Sequence, residues 1–341
     1  MTTLLWRWAT LLPLAALGLG AWARAETPRH RVYQSRDQGT TWQEASAGLP
    51  RATRVHAFAA IEGIQIAATD AGLFRSTNAA RSWGPTASAS GAPRPVQSLA
   101  VSGSILVAGT LHHGLVRSLD HGVTWSQVVP FSLANIRCLH ATQRLVMAGT
   151  DAHGVLVSQD GGTTWQARRA GLPEASQVFD LTEFSGTWYA ALYSQGLYQW
   201  DDQAERWRRL GLEIPLALAA TSKALIGGLN PGGILASTNG GRDWTPGTSA
   251  LVPDLFAFDP AQPSPLPPFA PVWTLKASTQ QAWAGAADGL FHSENHGRTW
   301  QRAQTGLPPA RPAVAFLVTP ELLLASVHVL DAAPSQGDAP R

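Results

Sequence analysis

Cysteine is almost missing from this chain of 341 residues: there is one, Cys138. A lone thiol excludes an internal disulfide framework, so stability has to come from packing. Cys138 lies in an apolar strand pattern and reads as a small buried hydrophobe. Lysine is nearly as scarce, with only Lys223 and Lys276 among 25 basic residues. Charged residues of both signs make up only 14%, for a formal net charge of +2. The first 25 residues hold Arg7 and Arg24 and no acid, so the chain without them carries 23 basic and 23 acidic residues. That balance removes global electrostatic support for nucleic-acid binding. Long apolar runs are confined to the N-terminus, where Ala9–Leu19 is followed by Ala23-Arg24-Ala25. This reads as a secretory signal peptide, residues 1–25, cleaved after Ala25, and places the protein in the periplasm or outside the cell. No other segment is apolar enough to span a bilayer as a helix.

What the chain does have is tryptophan, 14 in all, together with 32 glycines and 24 prolines. Seven of the tryptophans close an eight-residue pattern, Ser-x-Asp-x-Gly-x-Thr-Trp. The full copies carry Asp37 with Trp42, Asp120 with Trp125, and Asp160 with Trp165. Looser copies carry Asn295 with Trp300, Asn239 with Trp244, and Asn78 with Trp83; the weakest keeps Asp202 and Trp207. Successive tryptophans are 41, 42, 40, 42, 37 and 56 residues apart. A period near forty marks a repeat architecture. The acid or amide can hold the backbone N–H groups of its own turn, and the glycine supplies a positive φ. These boxes are therefore read as structural. Calcium binding is disfavoured because three of the seven copies are neutral, whereas a calcium loop needs several carboxylates together.

Each box sits among short apolar runs bounded by Gly, Pro, Asn and Asp, which predicts an all-β protein with four strands per repeat. Repeated around a ring, such a unit is a propeller blade. The first box has one strand before it and the last box has two strands after it. Pairing those ends gives a seven-bladed β-propeller closed by a shared blade, two strands from each terminus, with no open edge. The propeller is placed at residues 26–330, and 331–341 is expected to be a disordered tail.

The boxes, their period and the blade pattern resemble the BNR/Asp-box repeat proteins, which belong to a sialidase-related superfamily. Blade count and export bring the chain nearest to the non-catalytic propellers that assist photosystem assembly. That resemblance implies an exported protein that binds a protein partner, as a scaffold or assembly factor for an envelope or membrane complex. It implies a monomer and no cofactor. A sialidase-like glycoside hydrolase or a glycan-binding module is the alternative, since one propeller fold hosts many functions. Sialidases use an arginine triad, a Tyr nucleophile with a Glu partner and an Asp acid/base, outside the usual paired-carboxylate scheme. Their Arg-Ile-Pro motif is missing here; the nearest strings are Arg94-Pro95 and Arg311-Pro312. Tyr33 and Tyr198 take structural third-strand positions, and Tyr193 is the tyrosine with reach toward the axis. Tyr193 and Asp180 are the catalytic candidates this reading leaves.

The binding face is expected opposite the boxes, where inter-blade loops carry Arg51, Arg54, Arg94 and Arg311. Aligning the first strands gives a column of His56, Gln97, Arg137, Phe179, Leu216, Trp273 and Val314, half polar and basic, half apolar. Such a rim suits a protein or acidic-peptide ligand. The long spacing before the last box is an inter-blade insertion, Val252–Pro271, on the same face, where Phe256, Phe258 and Phe269 are costly to expose. Arg54, His56, Arg94, Arg137, Arg311, Trp273, Phe256 and Phe258 form the expected partner surface. His112, His113, Asp151 and His153 occupy equivalent loops and are the only candidates for a metal, short of the convergent ligands a site needs.

Overall fold

A computed structural model describes residues 29–51, 53–88, 95–128, 135–143, 145–211, 215–230, 232–249, 271–287, 289–303, 305–308 and 312–329. The expected leader, the expected C-terminal tail, Arg94, Arg311 and the phenylalanines of the insertion lie outside these residues.

Seven sheets, each built on four antiparallel strands, are arranged as a propeller. Blades 1 to 6 open with the strands Val55–Ile61, Val96–Ser102, Ile136–Ala141, Val178–Phe184, Pro215–Ala220 and Val272–Ala277. The seventh blade is the predicted composite. Ala313–Val318 and Leu323–Val329 supply its inner strands; Arg29–Ser35 and Gln43–Glu44 supply the outer two. The joint is a full-length antiparallel ladder running from Arg29 opposite Val329 to Ser35 opposite Leu323. Both chain ends thereby enter one hydrogen-bonded sheet, and no inner edge is left open.

The core lies between blades. Among the described residues, seven apolar clusters each draw on two successive blades, and one of them joins Val32 and Leu324 of blade 7 to Val55, Phe58 and Trp83 of blade 1. Every second strand is buried on both faces, as Ile66-Ala67-Ala68 and Met147-Ala148 illustrate.

The repeated boxes form the turns between third and fourth strands. In the first, Ser35 donates to Asp37, which accepts the Thr41 N–H and hydroxyl at 2.9 and 2.6 Å, while the Gly39 N–H reaches the Ser35 oxygen. The Trp42 indole N–H donates to the Gly39 carbonyl. Asn78, Asn239 and Asn295 accept the equivalent N–H groups of Ser82, Asp243 and Thr299, so the turn needs the acceptor and not the charge. The fourth blade departs from the sequence expectation. Asp201 caps that turn, accepting from the N–H groups of Gln203 and Ala204, and Asp202 holds the Trp200 indole. The chain here lacks the box serine, so the neighbouring acid takes over the turn.

The recurrent Gly-Leu-Pro strings latch one blade to the next. The N–H of Trp83 donates to the Ala47 carbonyl, and that of Trp207 to the Ala170 carbonyl. The glycines that follow, Gly48 and Gly171, have φ of 89° and 85°, and a Cβ on either would stand 2.0–2.1 Å from the tryptophan carbonyl oxygen. Only glycine meets both requirements there.

Candidate functional site

All seven first strands carry a β-bulge one residue after they begin, as at Val55/Ala57, Ile136/Cys138 and Val272/Thr274. A bulge inserts an unpaired residue and re-aims its side chain. The bulged residues are His56, Gln97, Arg137, Phe179, Leu216, Trp273 and Val314, the column that the sequence alignment isolates. All seven line the mouth of the central channel.

A second column stands beside the first. Fourteen positions on from each bulged residue, after the second strand, come Asp70, Leu111, Asp151, Tyr193, Asn230, Ala287 and His328. In six of the blades their N–H groups donate to the carbonyl of the residue preceding the first strand, for example Asp70 to Arg54, Tyr193 to Gln177 and His328 to Pro312. The same register therefore holds both columns at one height, and in three blades the partners match chemically. His56 shares a 2.6 Å hydrogen bond with Asp70. Arg137 forms a close two-pronged ion pair with Asp151, which also accepts from Asn135. Phe179 stacks on Tyr193, with centroids 5.0 Å apart and planes 18° from parallel. Arg137 also lies 4.8 Å from the Phe179 ring centroid, so it couples its own blade to the next.

The pairing corrects the expected basic half of the rim. His56 and Arg137 each have a carboxylate partner, so that half is close to neutral. Arg54 is exposed and has no ion pair among the described residues. The apolar half stays open. Trp273 is 42% and Tyr193 46% exposed, high values for aromatics. A cavity of about 550 Å³ opens over the channel, lined by apolar Phe179, Leu216, Trp273, Pro312 and Val314 together with His30, Arg54 and His328.

Asp180 lies one residue below this rim, in the channel wall. One carboxylate oxygen accepts the Leu181 N–H at 2.9 Å and the other the Leu218 N–H of blade 5 at 2.8 Å. Burial raises its pKa, opposed by the Lys276 charge and these two N–H groups. Asp180 is thus a clamp between blades 4 and 5. Ser98 and Cys138 stand at the same position, and each donates across to the next blade, to the carbonyls of Ile136 and Val178. The metal candidates do not converge. Asp151 is engaged by Arg137 and Asn135, the His113 ring contacts the Leu111 carbonyl, and no group of three His, Cys, Asp or Glu gathers among the described residues.

His30 and His328 are the site residues that sequence alignment misses. They are register partners in the composite blade, with rings 5.1 Å apart. Burial, then Arg54, His328 and His56, depress the His30 pKa to about 4, against a smaller upward pull from Asp70. Burial also lowers His56, although Asp70 opposes it. The signal for this pair was the ring closure itself, since only its strand register brings the two chain ends together.

No protein-family model matches the chain, and no curated protein is significantly similar to it in sequence. Solved structures are similar in fold. YCF48 from Cyanidioschyzon merolae aligns with a TM-score of 0.60 at 13% identity, over 82% of this chain and 97% of that one. A structure described as YCF48 bound to D1 peptide aligns with a TM-score of 0.57 at 17% identity, over 80% and 92%. The GH74 xyloglucanase from Xanthomonas campestris aligns with a TM-score of 0.64 at 18% identity, over 89% of this chain but only 56% of the enzyme. At these identities the likeness establishes the propeller fold and leaves the activity to be argued from the site.

Proposed function

We propose that this chain is an exported, non-catalytic propeller that binds a segment of a protein partner across the channel mouth, as a scaffold or assembly factor for an envelope or membrane complex. The observation that carries the reading is the mouth cavity, lined by exposed Trp273, an apolar wall and Arg54, with exposed Tyr193 stacked on Phe179 of that wall. Exposed aromatics with a few fixed polar groups are what protein-binding hot spots require. The polar residues of the rim are committed to one another: Asp70 to His56, Asp151 to Arg137, and Asp180 to two backbone N–H groups. Among the described residues, that leaves no free pair of carboxylates at the rim poised for acid/base work. The YCF48 structure with a bound peptide supports the same kind of ligand on the same fold, and the leader supports export.

The test is cross-linking in the cell with a photoreactive residue at Tyr193 and, as a control, at Leu119 on the box side of blade 2. Capture of a defined envelope protein from position 193 and not from 119 supports the reading. Equal capture from both positions, or none from 193, removes it. A second reading rests on the same aromatics, because Trp273 and Tyr193 also offer faces for sugar rings, and a xyloglucanase is among the similar folds. Glycan-array binding that is lost with Trp273→Ala, without any protein capture, would favour it.

A further inference from the structure

We propose that His30, His56, His328 and Arg54 form an anion subsite at the edge of the apolar mouth, which takes a carboxylate of the bound segment and draws a proton into the cluster as it does so. This deepens the peptide-binding reading and rests on it. It specifies the ligand chemistry: an apolar residue for the cavity, next to an acidic group.

The placement comes from three separate elements. His30 is on the strand Arg29–Ser35, His328 on Leu323–Val329, and His56 is the bulged residue of Val55–Ile61. His30, His328 and Arg54 line the cavity that Phe179, Leu216 and Trp273 complete. The groups facing His30 are Arg54, His56, His328 and Asp70. A groove on its outer side adds Arg31, Glu44 and Arg51, of which Arg31 and Glu44 pair at 2.5 Å. Asp70 is the acid facing the cluster, and it is already engaged by His56 and by the Arg54 N–H.

Two observations point to a ligand. The Nδ1 atom of His30 is buried without a hydrogen-bond partner. An orphaned buried ring nitrogen is costly, so His30 carries an unmet polar need at the edge of the cavity it lines. The charge count points the same way. With the imidazoles neutral, Arg54 and Asp70 offset each other, so the free cluster is close to neutral. Burial holds the His30 and His56 rings toward the neutral form, and each can accept a proton once a carboxylate arrives to compensate the charge.

The sign follows from linkage. In the free protein the His30 pKa is about 4. An adjacent carboxylate that returns it to the ordinary imidazole value of about 6.5 makes binding about tenfold tighter at pH 5.5 than at pH 7.5. A neutral ligand gains nothing from the same change.

The experiment uses the full mature chain and three short probes: an acetylated, amidated peptide containing Leu-Phe-Glu, its Leu-Phe-Gln counterpart, and the Gln peptide with a free C-terminus. Each is titrated by calorimetry at pH 7.5 and 5.5, with the imidazole resonances followed by NMR. The proposal expects about tenfold tightening at the lower pH for a carboxylate-bearing probe and none for the neutral one. Which of the two acidic probes responds tells a side-chain carboxylate from a terminal one. His30→Asn should abolish the pH effect. Arg54→Gln, an exposed side chain outside the closing sheet, should abolish the preference for acid and guards against a folding artefact in the first variant. Leu119→Ser should change nothing. Equal, pH-independent binding of all three probes overturns the subsite while leaving peptide binding in place. If no probe binds and the His30 resonance does not move, both readings fall together.

Discussion

The guanidinium carbon of Arg137 sits 4.8 Å from the centroid of the Phe179 ring, one blade over, while Asp151 grips the same group from its own blade. Phe179 in turn stacks on Tyr193 of its own blade. Four residues in two blades thus make a single platform, and its rigidity depends on the planar fork of arginine. Arg137→Gln should therefore loosen the Phe179–Tyr193 stack and weaken partner binding about tenfold, and Arg137→Lys should not restore it. The ion pair is partly exposed, so its loss should cost about 1 kcal/mol of stability or less. A double-mutant cycle with Phe179→Leu, read from denaturant melts, should show a coupling of about 0.5–1 kcal/mol. A coupling of zero would mean that the contact is only proximity.

Trp273 separates binding from stability. Its side chain is 42% exposed, at the bulge, and touches the mouth rather than an inter-blade core. Trp273→Ala should shift the unfolding free energy by no more than about 0.5 kcal/mol, the usual range for surface changes. The same change should weaken the captured partner by tenfold or more, as expected for an exposed aromatic anchor. Thermal melts beside a binding titration check both halves. A large fall in stability with unchanged affinity would place Trp273 in the scaffold instead.

Much of this architecture is legible in the chain, for physical reasons. The box needs an acceptor, a positive φ and a tryptophan at fixed offsets, so six of the seven turns declare themselves by spacing. The composite blade follows from counting strands against boxes. The rim column is visible because each blade repeats it, but its cause, a bulge in every first strand, leaves no compositional mark. The acid partners of His56 and Arg137 were hidden for a related reason. Asp70 and Asp151 follow the second strands while their partners lie in the first, and only the strand register brings positions fourteen apart to one height. His30 and His328, nearly three hundred residues apart, become neighbours solely through ring closure. Asp202 was misread because position alone cannot decide which of two adjacent acids faces the turn.

Asp180 offers a test of a buried carboxylate as a clamp. Both its oxygens accept backbone N–H groups, one of them from the next blade. Asp180→Ala leaves the Leu181 and Leu218 N–H groups without an acceptor. The expected cost is about 1–3 kcal/mol, the usual penalty for orphaned buried donors. Asp180→Asn should cost less, because the amide oxygen still satisfies one of the two. Guanidinium melts of both variants at pH 7 test this order. Equal stability of all three proteins would show that burying the charge offsets the whole benefit of the clamp.

Three of the box acids are held below the ordinary aspartate value and should contribute to the acid limit of the fold. Hydrogen bonds from the Thr41 hydroxyl and N–H and from Ser35 hold Asp37 at about 2, below the ordinary aspartate value of 3.8. Desolvation pulls Asp120 and Asp160 upward, but their threonine and serine hydrogen bonds win and hold both at about 2. A depressed folded-state pKa contributes stability that is full above the unfolded value and is lost as pH falls through the folded one. Stability should therefore be flat with respect to these groups at neutral pH and should fall between about pH 4 and pH 2. Asn78 and Asn295 make the same turns without a titrating group, so those turns do not share in that loss. The triple substitution Asp37→Asn, Asp120→Asn, Asp160→Asn should accordingly flatten the acid limb of the stability profile while leaving the fold intact. Urea midpoints at half-unit steps from pH 5 to pH 2 read this directly. An acid limb as steep in the triple variant as in the natural chain would assign the loss to other carboxylates.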